Sequence, residues 1–159
     1  MAISARSIVL LNARLSSVVV TLQILFPYQF YNSHLARAVS RWTGLPLVTL
    51  VDENSCAHAL VVALDLAILV HLWMGATTSR KHAHASTALM ELIYSTVAIL
   101  TCTPLVPRQY GSSISLIGAI TNFMFAFGIC WAGDIGWRDM VGLFGGDESI
   151  RERDRVKVE

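Results

Sequence analysis

The chain has 159 residues, of which 54% are apolar and only 14% charged, with a formal net charge of +1. A soluble domain of this size carries roughly a quarter charged residues, so an ordinary water-soluble core is excluded. The near-neutral balance excludes a basic surface for nucleic acid. The charges are also clumped, which leaves charge-poor runs at about residues 8–30, 56–76, 84–104 and 113–133. Each is close to the ~20 residues that cross a ~30 Å hydrocarbon layer. The expected fold is an all-α bundle of four transmembrane helices over residues 1–146, with a charged cytoplasmic tail over 147–159.

The first run follows Arg6 and resembles a signal peptide, but Arg14 interrupts it and no clean small-residue cleavage site follows. It is read as a retained helix that ends at Pro27. Tyr28, Phe30 and Tyr31 suit a membrane interface. In residues 32–53, His34, Arg37, Arg41 and Trp42 alternate with Leu35, Ala38 and Val39 as in a short helix lying on the membrane, broken at Gly44 and Pro46. Asp52–Ser55 is an N-cap cluster for the second span. A short basic loop, residues 77–83, joins the second span to the third. Pro104 and Pro107 end the third, and Gly111 with Ser112 leads into the fourth. An amphipathic piece with Trp137, Met140, Leu143 and Phe144 follows Asp134.

Four spans put both termini on one side. That side holds Arg6, Arg80, Lys81, Arg138, Arg151, Arg153, Arg155 and Lys157, and the other holds Arg37, Arg41 and Arg108. The excess predicts cytoplasmic termini, with the endoplasmic reticulum as the expected membrane. Cys56 and Cys102 fall at the same, non-cytoplasmic face. A disulfide there and two free thiols are both open readings. Cys130 lies toward the opposite face.

Ionisable groups inside a membrane cost about 2.5–3.5 kcal/mol each on insertion scales, so they normally face the bundle interior. Each span has one polar or small stripe at helical spacing. The stripes are Arg14, Ser17 and Thr21; His58 and Asp65; Thr87, Glu91, Tyr94, Ala98 and Thr101; and Ser115, Gly118, Asn122 and Ala126. Counted from the cytoplasmic ends, Arg14 and Glu91 share one depth, with His71 close to it on another face of its helix. Asp65, Tyr94 and Asn122 share a deeper one. The structural alternative is an Arg14–Glu91 ion pair that fixes register, with a protonated Asp65 bonded to Tyr94 or Asn122. Such contacts stabilise membrane helices by only about 0.6 kcal/mol on average, little return for two carboxyls.

The functional reading takes Glu91 as ionised beside Arg14 and Asp65 as neutral, which gives a base and an acid in one cavity. Tyr94 is placed to donate to a developing alkoxide. Asp65, Glu91, Tyr94 and Arg14 are the catalytic candidates, and Asn122, His58, His71 and Trp73 the substrate-binding ones. The set suits epoxide opening by water, ring closure or double-bond isomerisation on a lipophilic substrate. No phosphate loop, nucleophile–base signature or cofactor motif is present in the sequence, and His82-x-His84 is read as a solvated pair rather than a metal site. The expected partners are a lipophilic small molecule and membrane lipid, and a homo-oligomer is compatible with the pattern.

Two resemblances add to this reading. Ala13-Arg14-Leu15, Trp42-x-Gly44-Leu45-Pro46 and Arg80-Lys81, within a four-helix layout, resemble the DoxX-like family of small membrane proteins. That resemblance implies a non-catalytic subunit or a lipid binder. In size, helix count and acidic residues within helices (Asp65 and Glu91), the chain is also similar to the small membrane hydrolases and cyclases of fungal polyketide and terpenoid pathways. That likeness implies epoxide or polyene chemistry.

Overall fold

The computed structural model describes residues 3–48, 55–105 and 111–142, with side chains from His58 onward in the second segment. The expected cap at residues 52–55, the Cys56 thiol, Pro107, Leu143, Phe144 and the 147–159 tail lie outside the described residues. Seven helices occur among those described: α1 (Ala5–Leu25), α2 (Pro27–Tyr31), α3 (His34–Thr43), α4 (Ser55–Ala76), α5 (Lys81–Thr101), α6 (Ser113–Gly133) and α7 (Trp137–Val141). Four of them, α1, α4, α5 and α6, are long and apolar enough to cross a membrane.

Local chemistry sets the helix ends. Ser4, Ser33 and Ser112 each accept a hydrogen bond from a backbone N–H three residues on, at 3.2, 3.3 and 3.1 Å, and so open α1, α3 and α6. The first span therefore starts and stops earlier than its apolar run suggests. Pro27 does not merely end it but occupies the first turn of α2, where its missing N–H costs nothing. The third span likewise begins at Lys81, so the connecting loop is shorter than the basic run. The short helix expected between the first two spans is α3, closed by Gly44 at φ +71°.

The four long helices form two close pairs, α1 with α4 and α5 with α6, joined mainly where α1 meets α6. At the end carrying Ala5 and Ala76 the bundle is tight, with a core of Ala5, Val9, Ala76, Ala85, Ala88 and Ile129 covered by Ile135 and Met140. Small residues allow this close approach. A Cβ placed on Gly75 would lie 2.7 Å from Thr87 Oγ1, and one on Gly133 would lie 3.1 Å from Ala5 Cβ. Polar contacts seal the same end. Arg6 Nε donates to the Ala76 carbonyl at 3.0 Å, answering an orphan acceptor where the α4 dipole is negative. Asp139 Oδ2 accepts the Gly136 N–H at 2.8 Å and pairs with Lys81 Nζ at 3.0 Å, which ties α7 to α5. These two contacts hold the Asp139 carboxyl below the usual carboxylate range.

Toward the other end the helices separate. Contact between α4 and α5 is thin, and the mouth is covered by α2 and by α3, which packs on α6. Ser113 N–H donates to the Pro46 carbonyl at 3.1 Å and fixes the segment after α3 to the start of α6. Gly111 is required in the α5–α6 turn, because a Cβ there would collide with the Thr101 carbonyl oxygen.

Gly75→Val should destabilise the bundle by about 1–3 kcal/mol through overpacking against Thr87. The matched Gly118→Val, whose Cβ would meet nothing within 4 Å, should leave stability nearly unchanged. Thermal unfolding in detergent reads both, and equal melting temperatures for the two variants would show that the Gly75 contact does not close the bundle.

Candidate functional site

Where the helices separate they enclose a partly open cavity of about 880 Å³. It is walled by α1, α4, α5 and α6, and α2 and α3 contribute Phe30, Tyr31 and Leu35. Its volume lies within the range of sites that hold a mid-sized organic molecule. Five of the candidate residues meet here: Asp65 and His58 from α4, Glu91 and Tyr94 from α5, and Asn122 from α6. They come from three helices, as the stripes of those spans require.

The stripe on α1 is a different one from that expected. The cavity face carries Asn12, Ser16, Val20 and Gln23, spaced by four, four and three. Arg14 lies about 200° from Asn12 around the helix and is exposed beside Leu11, Leu15 and Val18. The expected Arg14–Glu91 ion pair is not formed, and Arg14 is not a cavity residue. The reason lies in the hydroxyls used to orient the helix. Ser17 Oγ donates to the Ala13 carbonyl at 2.8 Å, and Thr21 Oγ1 to the Ser17 carbonyl at 2.7 Å. Both donate to carbonyls of α1 itself, and Ser17 accepts only on the α1–α4 seam, so neither turns that face to the cavity.

Glu91 is 1% exposed, and its partner is Asn12, whose Nδ2 donates to Oε1 at 2.8 Å. Ser16 Oγ donates in turn to Asn12 Oδ1 at 3.3 Å. The second carboxyl oxygen, Oε2, is buried and has no hydrogen-bond partner among the described residues. Asn12 is inconspicuous in the sequence because an amide carries no charge. The signal it does give is its spacing with Ser16 and Gln23.

The second carboxyl, Asp65, has the Gln23 side chain beside it. Tyr31 and His58 complete that end, with Tyr31 Oη and His58 Nδ1 3.4 Å apart and the rings edge-on at 5.6 Å. Burial, and secondarily the negative charge of Asp65, push the Tyr31 phenol above its ordinary value. Tyr94 lies within electrostatic range of Asp65, Glu91 and Tyr31. Two carboxyl groups therefore occupy two parts of one cavity, with a phenol near both.

The remaining candidates lie elsewhere. His71 does not line the cavity, and its Nε2 is buried without a partner among the described residues. Trp73 Nε1 donates to Ser17 Oγ at 3.2 Å, on the α1–α4 seam and outside the cavity. His84 is buried, with Nε2 3.0 Å from the Thr78 carbonyl, and closes the loop before α5. Among the described lining residues there is no Lys or Arg, and His58 is the one imidazole. Such a set repels anions and can both give and take protons.

No protein-family model matches the chain, and no curated protein or solved structure shows significant similarity to it.

Asn12→Leu removes the donor to a buried carboxyl and should lower stability by about 1 kcal/mol, in the range of polar contacts between membrane helices. Arg14→Leu should not destabilise. Thermal unfolding of the two variants in detergent distinguishes this arrangement from an Arg14–Glu91 pair, which requires the reverse order.

Proposed function

We propose that this protein is a membrane-embedded enzyme that opens an epoxide on a lipophilic substrate, by hydrolysis or cyclisation, using its two cavity carboxyls as acid and base. The observation that carries the reading is Glu91. One oxygen is held by Asn12, the other is buried and unpartnered among the described residues, and the residue lines a cavity together with Asp65 and Tyr94. A carboxyl that only fixed helix register would spend both oxygens on the protein.

In the proposed reaction the protonated carboxyl gives its proton to the epoxide oxygen as the carbon–oxygen bond breaks. The ionised carboxyl takes a proton from the nucleophile, either water or a hydroxyl of the substrate, as its oxygen bonds to the epoxide carbon. The product is a diol or a hydroxylated cyclic ether. The base then holds the proton that the acid has lost, and the Tyr94 hydroxyl, near both, can return it. With Arg14 outside the cavity, the ground for making Glu91 the ionised member is gone, and the geometry leaves the two roles interchangeable. Asn122 and His58 are positioned to orient the substrate. We place the termini in the cytoplasm from the charge bias of the loops, and the endoplasmic reticulum is the membrane proposed with that orientation. The chemistry is that of the small fungal membrane hydrolases and cyclases that the layout resembles.

One observation favours a second reading. Arg14 is a charged side chain on the outer surface of a membrane span, and such residues commonly meet a partner. That fits a non-catalytic subunit of DoxX-like type. It requires Arg14→Leu to break an assembly in the membrane, whereas the enzyme reading leaves turnover of that variant intact.

Asp65→Asn and Glu91→Gln should each lower turnover by about 10²–10⁴-fold, the usual contribution of a general acid or base, while the variants still fold. The check is conversion of a panel of lipophilic epoxides by the protein in lipid nanodiscs, with labelled water separating hydrolysis from ring closure. Wild-type turnover in both variants would remove the carboxyls from the mechanism, and inert wild-type protein would remove the epoxide.

A further inference from the structure

Gln23 is a polar residue the acid–base reaction does not use. Its side chain is 4% exposed and lines the cavity. The amide lies beside the Asp65 carboxyl, while Oε1 is buried with no hydrogen-bond partner among the described residues. An unpaired buried acceptor carries its full desolvation penalty and calls for a donor. Of the neighbours, Tyr31 is paired with His58, and Asp65 could donate only as the protonated acid, so with Asp65 as the base the acceptor has no donor among the described residues.

The character of the cavity narrows what that donor belongs to. Two carboxyls without a lining Lys or Arg disfavour an anion such as a fatty acid or a phospholipid headgroup. Most of the wall is apolar, from Leu15, Val19, Ile68, Ile117 and Phe125. Several lining residues are exposed: Leu15 and Val19 on α1, Val61 on α4 and Thr121 on α6. These positions lie within the spans, so the opening faces the hydrocarbon layer rather than water. Beside it Gly118 leaves open space in the wall, since a Cβ there would touch nothing within 4 Å. A molecule arriving through this side would place its apolar body in the apolar part, and the described lining offers no Lys or Arg to a negative charge.

We infer that the cavity selects an uncharged lipophile bearing a hydroxyl group, which reaches it from the bilayer and donates its O–H to Gln23 Oε1. The inference rests on the reading of this cavity as a substrate site and names the class of molecule it takes. The hydroxyl then lies next to Asp65. Gln23 is thereby a specificity residue, and not a catalytic one.

The test measures binding without turnover, by competition against a fluorescent lipophile on the full chain in nanodiscs. The probes are a series of isoprenoid alcohols of increasing length, with the methyl ether and the hydrocarbon matching each. The alcohol should bind about tenfold or more tighter than its ether, which accepts but does not donate. Gln23→Leu should bring alcohol and ether to within about twofold of one another, because the acceptor that holds the hydroxyl is lost. Gln23→Glu, which keeps the acceptor, should retain the preference. Equal binding of alcohol and ether, binding of neither at any length, or a preference that survives in Gln23→Leu overturns the inference. Loss of turnover in Asp65→Asn alongside equal binding of the two probes would overturn hydroxyl selection alone and leave the acid–base reading standing. Hydroxyl selection without epoxide turnover would do the reverse.

Discussion

A carboxyl placed inside a bilayer has to find its partners within the protein, and here the partner is a neutral amide on another helix. The Asn12–Glu91 hydrogen bond joins α1 to α5. The two helices belong to different close pairs, and little else connects them directly. The bond spans the place where the tight end of the bundle gives way to the cavity. It adds a polar tie to the α1–α6 contact that joins the pairs, and leaves one carboxyl oxygen without a partner among the described residues. An ion pair would have satisfied the charge but consumed both oxygens in a bidentate fork. A single amide donor anchors the side chain and leaves it chemically free.

The bundle is asymmetric along its axis, and the residues that make it so are small. Ala5, Gly75, Ala76, Ala85, Ala88, Gly128 and Gly133 let the helices approach closely at one end. Arg6 and Asp139 close that end with contacts to a helix C-terminus, a loop N–H and Lys81. At the other end Tyr31, Leu35, His58 and Phe125 are bulkier, and the same four helices stand apart. The cavity follows from this gradient in side-chain size, since a short turn holds α4 and α5 together only where they are joined.

Much of this was legible in the sequence, for a physical reason. A helix of about 20 residues without a charged face has no side to turn to water, so the four spans and the helix between the first two were readable. Asp65, Glu91, Tyr94, Asn122 and His58 were also readable as a group, because each sits on a helix with one polar face. The inward face of α1 was not. Arg14 is the most polar residue of that span, and Ser17 and Thr21 share its face, although both hydroxyls bond within their own helix. Serine and threonine in a membrane helix report its inward face only when the local carbonyl is not their partner. Uncharged amides such as Asn12 and Gln23 are the better markers, because their donors and acceptors reach past their own backbone.

The position of Arg14 bears on the cavity as well. Had it faced inward, its charge would have held Glu91 ionised and made the interior a site for anions. Facing outward, it leaves two carboxyls, the amides of Asn12, Gln23 and Asn122, and two phenols among apolar walls. A group of that kind can both give and take protons, with no Lys or Arg among the described lining residues. The cavity is partly open, and its wall includes the exposed residues Leu15 and Val19 of α1, Val61 of α4 and Thr121 of α6. The polarity of the interior and the opening in its wall thus arise from different residues of the same four helices.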